Sequence, residues 1–285
     1  MEGELTERPR PVCVLGVGRS GTSLVARTLN LLGVDLGRED TMLAASEVNP
    51  KGYWEQREAV ELNGEILAAL GGDWWCPPAR PAGWELGDDM AVFRDRISDL
   101  VDRYFAGSGR WGFKDPRTTL TLPLWRSVVG EFDYVVCMRN PLEVVASAEG
   151  VSEAFDPVAL WLYYGCEALR LTAGRRRIFV FYEEWLDGAD RVTRRLGQFL
   201  HGPDWTPGED ARGRAAAEWD PSLRRRRATD LELAERVDVP VEARTLHFVS
   251  RALAEAERMG DERARALQAF AAALDEDAVV RSQPR

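Results

Sequence analysis

Between Gly16 and Ser23 the chain reads Gly-Val-Gly-Arg-Ser-Gly-Thr-Ser, directly after the apolar run Val12–Val17 and directly before an amphipathic stretch, Thr22–Leu32. A strand, a glycine-rich turn and a helix N-terminus in that order make an anion site. The unpaired first-turn amides point at the ligand, and the helix dipole favours negative charge. Three readings share these residues. Gly16, Gly18 and Gly21 satisfy the dinucleotide fingerprint, which also needs an acidic residue ending a second strand about 20 residues on. Asp35 stands near that distance but in a turn-like setting, Gly-Val-Asp-Leu-Gly. The same residues approximate the Walker loop of nucleoside-triphosphate enzymes, with Thr22 where the phosphate-reaching lysine belongs and Arg19 as the nearest cation. The third reading needs a second site.

That second site follows another apolar run, Tyr134–Met138, as Arg139-Asn-Pro-Leu-Glu-Val-Val-Ala-Ser147. Pro141 suits the first turn of a helix, where its missing N–H costs nothing. Arg139 offers a planar fork of donors to phosphate, and Ser147 adds a hydroxyl two turns on. Taken together, Arg19-Ser-Gly-Thr-Ser23 and Arg139 to Ser147 resemble the two cofactor-binding motifs of sulfotransferases that use 3′-phosphoadenosine 5′-phosphosulfate (PAPS), in the family's order. Trp111-Gly-Phe-Lys-Asp-Pro-Arg117 and Asn49-Pro-Lys-Gly-Tyr-Trp-Glu55 resemble signatures of the bacterial and Golgi-type branch, and Phe181-Tyr-Glu-Glu-Trp-Leu186 resembles the segment after the next strand. The likeness covers roughly residues 11–200.

The resemblance implies a P-loop NTPase-like sulfotransferase fold and an in-line transfer of a sulfuryl group from PAPS to an acceptor, releasing adenosine 3′,5′-bisphosphate (PAP) without a metal. It assigns Arg19, Ser20, Gly21, Thr22 and Ser23 to the 5′-phosphosulfate, Arg139 and Ser147 to the 3′-phosphate, and Tyr182 to the neighbourhood of the adenine. Lys114 is the expected second cation. The general base is expected to be a carboxylate, Glu55 first and Glu47 second, because His201 and His247, the two histidines, lie outside every motif. Asp115 could orient Lys114 or Arg117 by pairing. The acceptor class implied is a hydroxyl, less readily an amine, of a carbohydrate or small natural product. A nucleotide-dependent kinase and a non-catalytic nucleotide-binding protein stay open.

The elements that must position these residues alternate. Runs Val12–Val17, Arg110–Phe113, Tyr134–Met138 and Ile178–Tyr182 read as buried parallel strands, separated by helical stretches. The helices are expected near Thr22–Leu32, Glu58–Leu70, Met90–Phe105, Pro141–Ala148, Pro157–Leu171 and Trp185–Leu200. The class is therefore α/β, a parallel sheet flanked by helices, with right-handed crossovers. One domain is expected over 1–285, an α/β cofactor-binding core at 11–200 and a mostly helical extension at 201–285, with one long helix over Val241–Leu274. Gly71–Gly87, rich in Trp, Pro and Gly, reads as an irregular loop that lines an acceptor pocket or packs as a lid. Arg224–Arg227 reads as a solvated basic turn. A basic segment late in the chain closes over the 3′-phosphate in cytosolic sulfotransferases, but the glycine that accompanies it there is missing.

Bulk properties bound the partners. Lys and Arg total 37 against 47 Asp and Glu, a net charge of −10, which argues against non-specific binding to nucleic acid or anionic membrane. Only Lys51 and Lys114 are lysines, which marks both for attention, since arginine does not replace a compact point charge everywhere. Four scattered cysteines without paired spacing suggest reduced thiols and a cytoplasmic setting. Neither a signal peptide nor a membrane span is expected, and the oligomeric state is not legible.

Overall fold

The computed structural model describes residues 9–274 except 48, 150–154 and 225. Four parallel strands, β1 (Val12–Leu15), β2 (Gly112–Lys114), β3 (Asp133–Met138) and β4 (Arg177–Phe181), form one sheet in the order β2-β1-β3-β4. Register runs from Val12 opposite Gly112, through Leu15 opposite Val136, to Met138 opposite Phe181. Side chains alternate between two cores, as the period of two in a strand requires. Cys13, Leu15, Phe113, Tyr134 and Val136 face one core, and Val12, Val14, Val135, Cys137 and Val180 face the other. Both faces are covered by helices, so every strand can be apolar throughout.

The helices of the first 201 residues are α1 (Thr22–Leu31), α2 (Arg57–Ala69), α3 (Ala91–Phe105), α4 (Thr118–Val129), α5 (Pro141–Ala148), α6 (Pro157–Leu171) and α7 (Ala189–His201). The rest are α8 (Glu209–Glu218), α9 (Asp230–Glu235), α10 (Val241–Met259) and α11 (Arg263–Ala273). Among the described residues no helix is long and apolar enough to cross a membrane.

Several boundaries differ from those expected. The first strand stops at Leu15, because the chain turns at Gly16, where φ is 135°. The second strand runs Gly112–Lys114 rather than Arg110–Phe113, which brings Lys114 into the sheet. α4 has no counterpart in the sequence reading, since its Pro123 and three buried threonines carry a weak helical signature. The stretch from Trp185 splits at Gly188 into a 3₁₀ segment, Tyr182–Asp187, and α7. The expected C-terminal helix is two, because Gly260 takes a left-handed φ of 66° after Met259 and ends α10.

This topology gathers the site. From β1 the chain crosses to β2 on one side, and from β2 it crosses back to β3 on the other. The carboxyl ends of β1 and β3 therefore flank a switch point, where open parallel sheets bind ligands. Gly16–Ser23, Asp115, Arg139 and Tyr182 each lie immediately beyond a strand end.

Candidate active site

α1 starts with Gly21 as its N-cap in left-handed geometry (φ 85°), without a side-chain cap and without an acidic residue in its first turn. The amide donors there are thus left for an anion. Only glycine fits at 21. A Cβ would stand 2.6 Å from the Tyr182 ring, and φ is positive. Arg19 also holds a positive φ, 71°, an uncommon state for a side chain this bulky and one that clusters at ligand clamps. Ser20 is buried, and its Oγ has no partner among the described residues.

Two segments far apart in sequence meet here. Arg19 Nε donates to Ser147 Oγ at 3.0 Å, and Arg139 Nη1 donates to the Arg19 carbonyl at 3.0 Å. The Arg139 guanidinium lies 3.9 Å from the centroid of the Tyr182 ring, and burial pushes the Tyr182 hydroxyl above its ordinary pKa. Asn140 caps α5 through its side chain on Leu142 N, and Pro141 occupies the first turn, as expected. A cavity of about 270 Å³ opens over these groups. Arg19, Gly21, Thr22, Ser23, Arg139, Ser147 and Tyr182 line it, as does Glu47. Its volume is close to the lower end of the roughly 300–1,000 Å³ range of small-molecule sites.

The opposite walls were not assigned from sequence. One is the Asn49–Trp54 loop, where Asn49 Nδ2 donates to Ser23 Oγ at 3.2 Å. The other is the end of α8 with Trp219, Asp220, Ser222 and Leu223. Lys51 joins the two, donating to the carbonyls of Ala217 (2.9 Å) and Glu218 (2.8 Å) at the negative end of α8. Arg27 adds a second tie, bonded to Glu218 at 3.0 Å and stacked 4.2 Å from the centroid of the Trp54 ring. Two sequence signals point to Lys51, the scarcity of lysine and the signature segment Asn49–Glu55, and neither assigns it this contact. Trp54 has φ 56°, so Trp54 and Glu55 leave the chain from a strained turn.

Glu55 and Lys114 lie behind the cavity wall. Both are buried (5% and 2% exposed) and form an ion pair, and Lys114 Nζ also reaches Ser23 Oγ at 3.2 Å. Burial raises the Glu55 pKa above the usual carboxylate range, and the Lys114 ammonium offsets part of that rise. Asp115 pairs with Arg117 rather than Lys114, accepting from its amide (3.1 Å) and its Nη1 (2.9 Å). Asn63 of α2 holds Asp115 from the other side at 2.9 Å and accepts from Trp125 Nε1 of α4.

The remaining expectations fall elsewhere. His201 contacts the Leu32 carbonyl, and His247 is buried against Asp230, so neither lines the cavity. Asp35 accepts from Gly37 N and Ser108 Oγ and makes one bridge to Trp111. Among the described residues the next strand after α1 is β2 at Gly112–Lys114, so Asp35 does not end a second strand as the dinucleotide fingerprint requires. The Trp-rich loop is pinned to α4 and α6 through Arg80, which pairs with buried Glu167 at 2.7 Å and bonds the Leu120 carbonyl. The solvated turn expected at Arg224–Arg227 is corrected at its first member. Arg224 is buried and paired with Glu143, which is itself fully buried. Residue 225 and the tail from 275 lie outside the described residues. Burial pushes the Cys137 thiol up to about 12 and that of Cys13 higher still, which leaves both as apolar strand residues.

No protein-family model and no curated protein matches the chain. Among solved structures, the chain is similar to a sulfotransferase from Mycobacterium avium at 16% identity and a TM-score of 0.41, over 74% of this chain and 67% of that one. It is also similar to a retinol dehydratase in complex with androsterone and inactive cofactor PAP, at 13% identity and a TM-score of 0.37, over 98% of this chain and 83% of that one.

Proposed function

We propose that the chain is a PAPS-dependent sulfotransferase acting on a hydroxyl of a carbohydrate or small natural product. The observation that carries this reading is the union of two phosphate-type motifs on one cavity. Arg19 touches Ser147 across 128 residues of sequence, and Arg139 is bonded to the Arg19 carbonyl. A ligand with anionic groups at two separated positions suits such a cavity better than a triphosphate. Thr22, buried at the start of α1, stands where a Walker lysine would reach further phosphates.

The residues present fit that cosubstrate. The uncapped N-terminus of α1 and Arg19 suit the 5′-phosphosulfate, and Arg139 with Ser147 suits the 3′-phosphate. Tyr182, Trp54 and Trp219 offer flat faces for a purine. When bound, the cosubstrate supplies an activated sulfuryl group. The chain's own part is positioning and charge stabilisation, as in phosphoryl transfer. Lys114, through Ser23, sets positive potential at the loop where leaving-group charge develops. Glu55, with its raised pKa, is the proposed acceptor of the hydroxyl proton, and Glu47 the second choice. A cytoplasmic setting is part of the same reading.

Calorimetric titration with PAP in the absence of metal, with ATP and Mg²⁺ in parallel, tests the assignment. PAP is expected to bind at least 100-fold tighter, and Arg139→Ala to weaken it at least tenfold, a loss of about 1.4 kcal/mol or more. Preference for ATP and Mg²⁺ would point to a kinase instead.

A further inference from the structure

Glu143 is the third residue of α5, and its carboxylate is fully buried. It accepts from Arg139 Nε at 3.1 Å, from Arg224 Nε at 2.9 Å and from Arg224 Nη2, and from the Ala228 amide at 3.0 Å. A carboxylate this deep is stable only when paired and hydrogen-bonded, and here two guanidiniums share it. The cluster therefore keeps one positive charge in excess, and Arg139 is its member on the cavity wall.

The five N–H groups of an arginine can be accounted for one by one. In Arg139 the Nε–H goes to Glu143, one Nη1–H goes to the Arg19 carbonyl, and the guanidinium face rests on Tyr182. The second Nη1–H and both Nη2–H groups are bonded by no described residue. Glu143 thus decides which edge of Arg139 is spent on the protein and which is offered to a ligand. Through Arg224 and Ala228 the same carboxylate ties the segment after Leu223, itself on the cavity wall, to α5.

We propose that Glu143 is the positioning residue of the 3′-phosphate end of the site: it presents the Nη2 edge of Arg139 to the cavity and, by holding Arg224 and Ala228, moors the chain next to the wall residues Ser222 and Leu223. This rests on the functional reading above and adds a selectivity determinant to it. Charge alone makes the opposite forecast. Deleting a carboxylate beside an anion site raises the local potential and should tighten a phosphate.

The test compares the affinity of PAP with that of adenosine 5′-monophosphate, which lacks the 3′-phosphate, by calorimetry without metal. The wild-type chain should prefer PAP. Glu143→Gln should reduce that preference at least tenfold through weaker PAP binding, with the monophosphate within about threefold of wild type. A preference that is unchanged or larger overturns the proposal, and so does an equal loss for both ligands, which would mean that Glu143 only holds the cavity together. Should Glu143→Gln fail to fold, Arg139→Lys carries the test. It keeps the charge but loses the fork, so it should show the same loss of preference, and a retained preference overturns the proposal. A wild-type chain indifferent to the 3′-phosphate would defeat the functional reading and this inference with it. A selective wild type with an equally selective Glu143→Gln would defeat this inference alone.

Discussion

At the scale of single residues, the buried Glu55–Lys114 pair is the place where binding and chemistry should separate. Glu55 is one residue from the cavity-lining Trp54 and is linked to the glycine-rich loop by its ion pair with Lys114 and the Lys114 bond to Ser23. A base must be ionised to accept a proton, and burial holds the Glu55 pKa above its ordinary value of 4.5. Transfer should therefore be lost as pH falls through that raised pKa and level off above it. Glu55→Gln is expected to keep PAP affinity within about threefold while transfer drops on the order of 100-fold or more, the typical worth of a positioned base. Steady-state rates against pH for both proteins check this. Unchanged turnover in the variant would move the role to Glu47, which lines the cavity itself.

Elements rather than residues decide the effect of the glycines. Gly21 caps α1 at φ 85° beneath Tyr182, at the end of the glycine-rich loop, and Gly260 separates α10 from α11 at φ 66°. Alanine at either position must enter left-handed backbone, costing about 1–2 kcal/mol. Gly21→Ala should also push Tyr182 off Arg139, so melting temperature and PAP affinity should both fall. Gly260→Ala should lower the melting temperature by a few degrees and leave PAP affinity unchanged. Thermal melts with and without PAP distinguish the two. The same contrast explains what could be read from the chain alone. Arg19, Arg139, Ser147 and Tyr182 were legible because each follows an apolar strand that announces itself locally, and a parallel sheet brings strand ends together. α4 was not, since Pro123 and its threonines hide a helix that packing supports. The break at Gly260 leaves no mark in the sequence because the Arg/Glu/Ala pattern continues on both sides. The partnership of Glu143 with Arg224 spans 81 residues and leaves no local mark at either end, so the local sequence shows only a run of arginines.

For the whole molecule, the cavity is a seam between parts of the chain remote in sequence. Residues between Arg19 and Trp54 supply one part of the lining, Arg139, Ser147 and Tyr182 another, and Glu218, Trp219, Asp220, Ser222 and Leu223 the third. A nucleotide there should stabilise the entire fold, by about 2.7 kcal/mol at one hundred times its dissociation constant. Lys51 is the direct strap between the first and last of these parts. It holds two carbonyls at the end of α8, and Arg27 with Glu218 runs beside it. Lys51→Met keeps the apolar stem and removes the ammonium. The two lost charge-assisted bonds are partly exposed, so together they should cost about 1–2 kcal/mol, with α8 loosened first. Hydrogen exchange is expected to quicken in Glu209–Glu218 while the strands keep their protection. PAP should dissociate faster, because the wall carrying Trp219 and Asp220 no longer has its anchor. If exchange quickened equally in β1 and β3, Lys51 would be supporting the fold at large rather than strapping the far wall to the site.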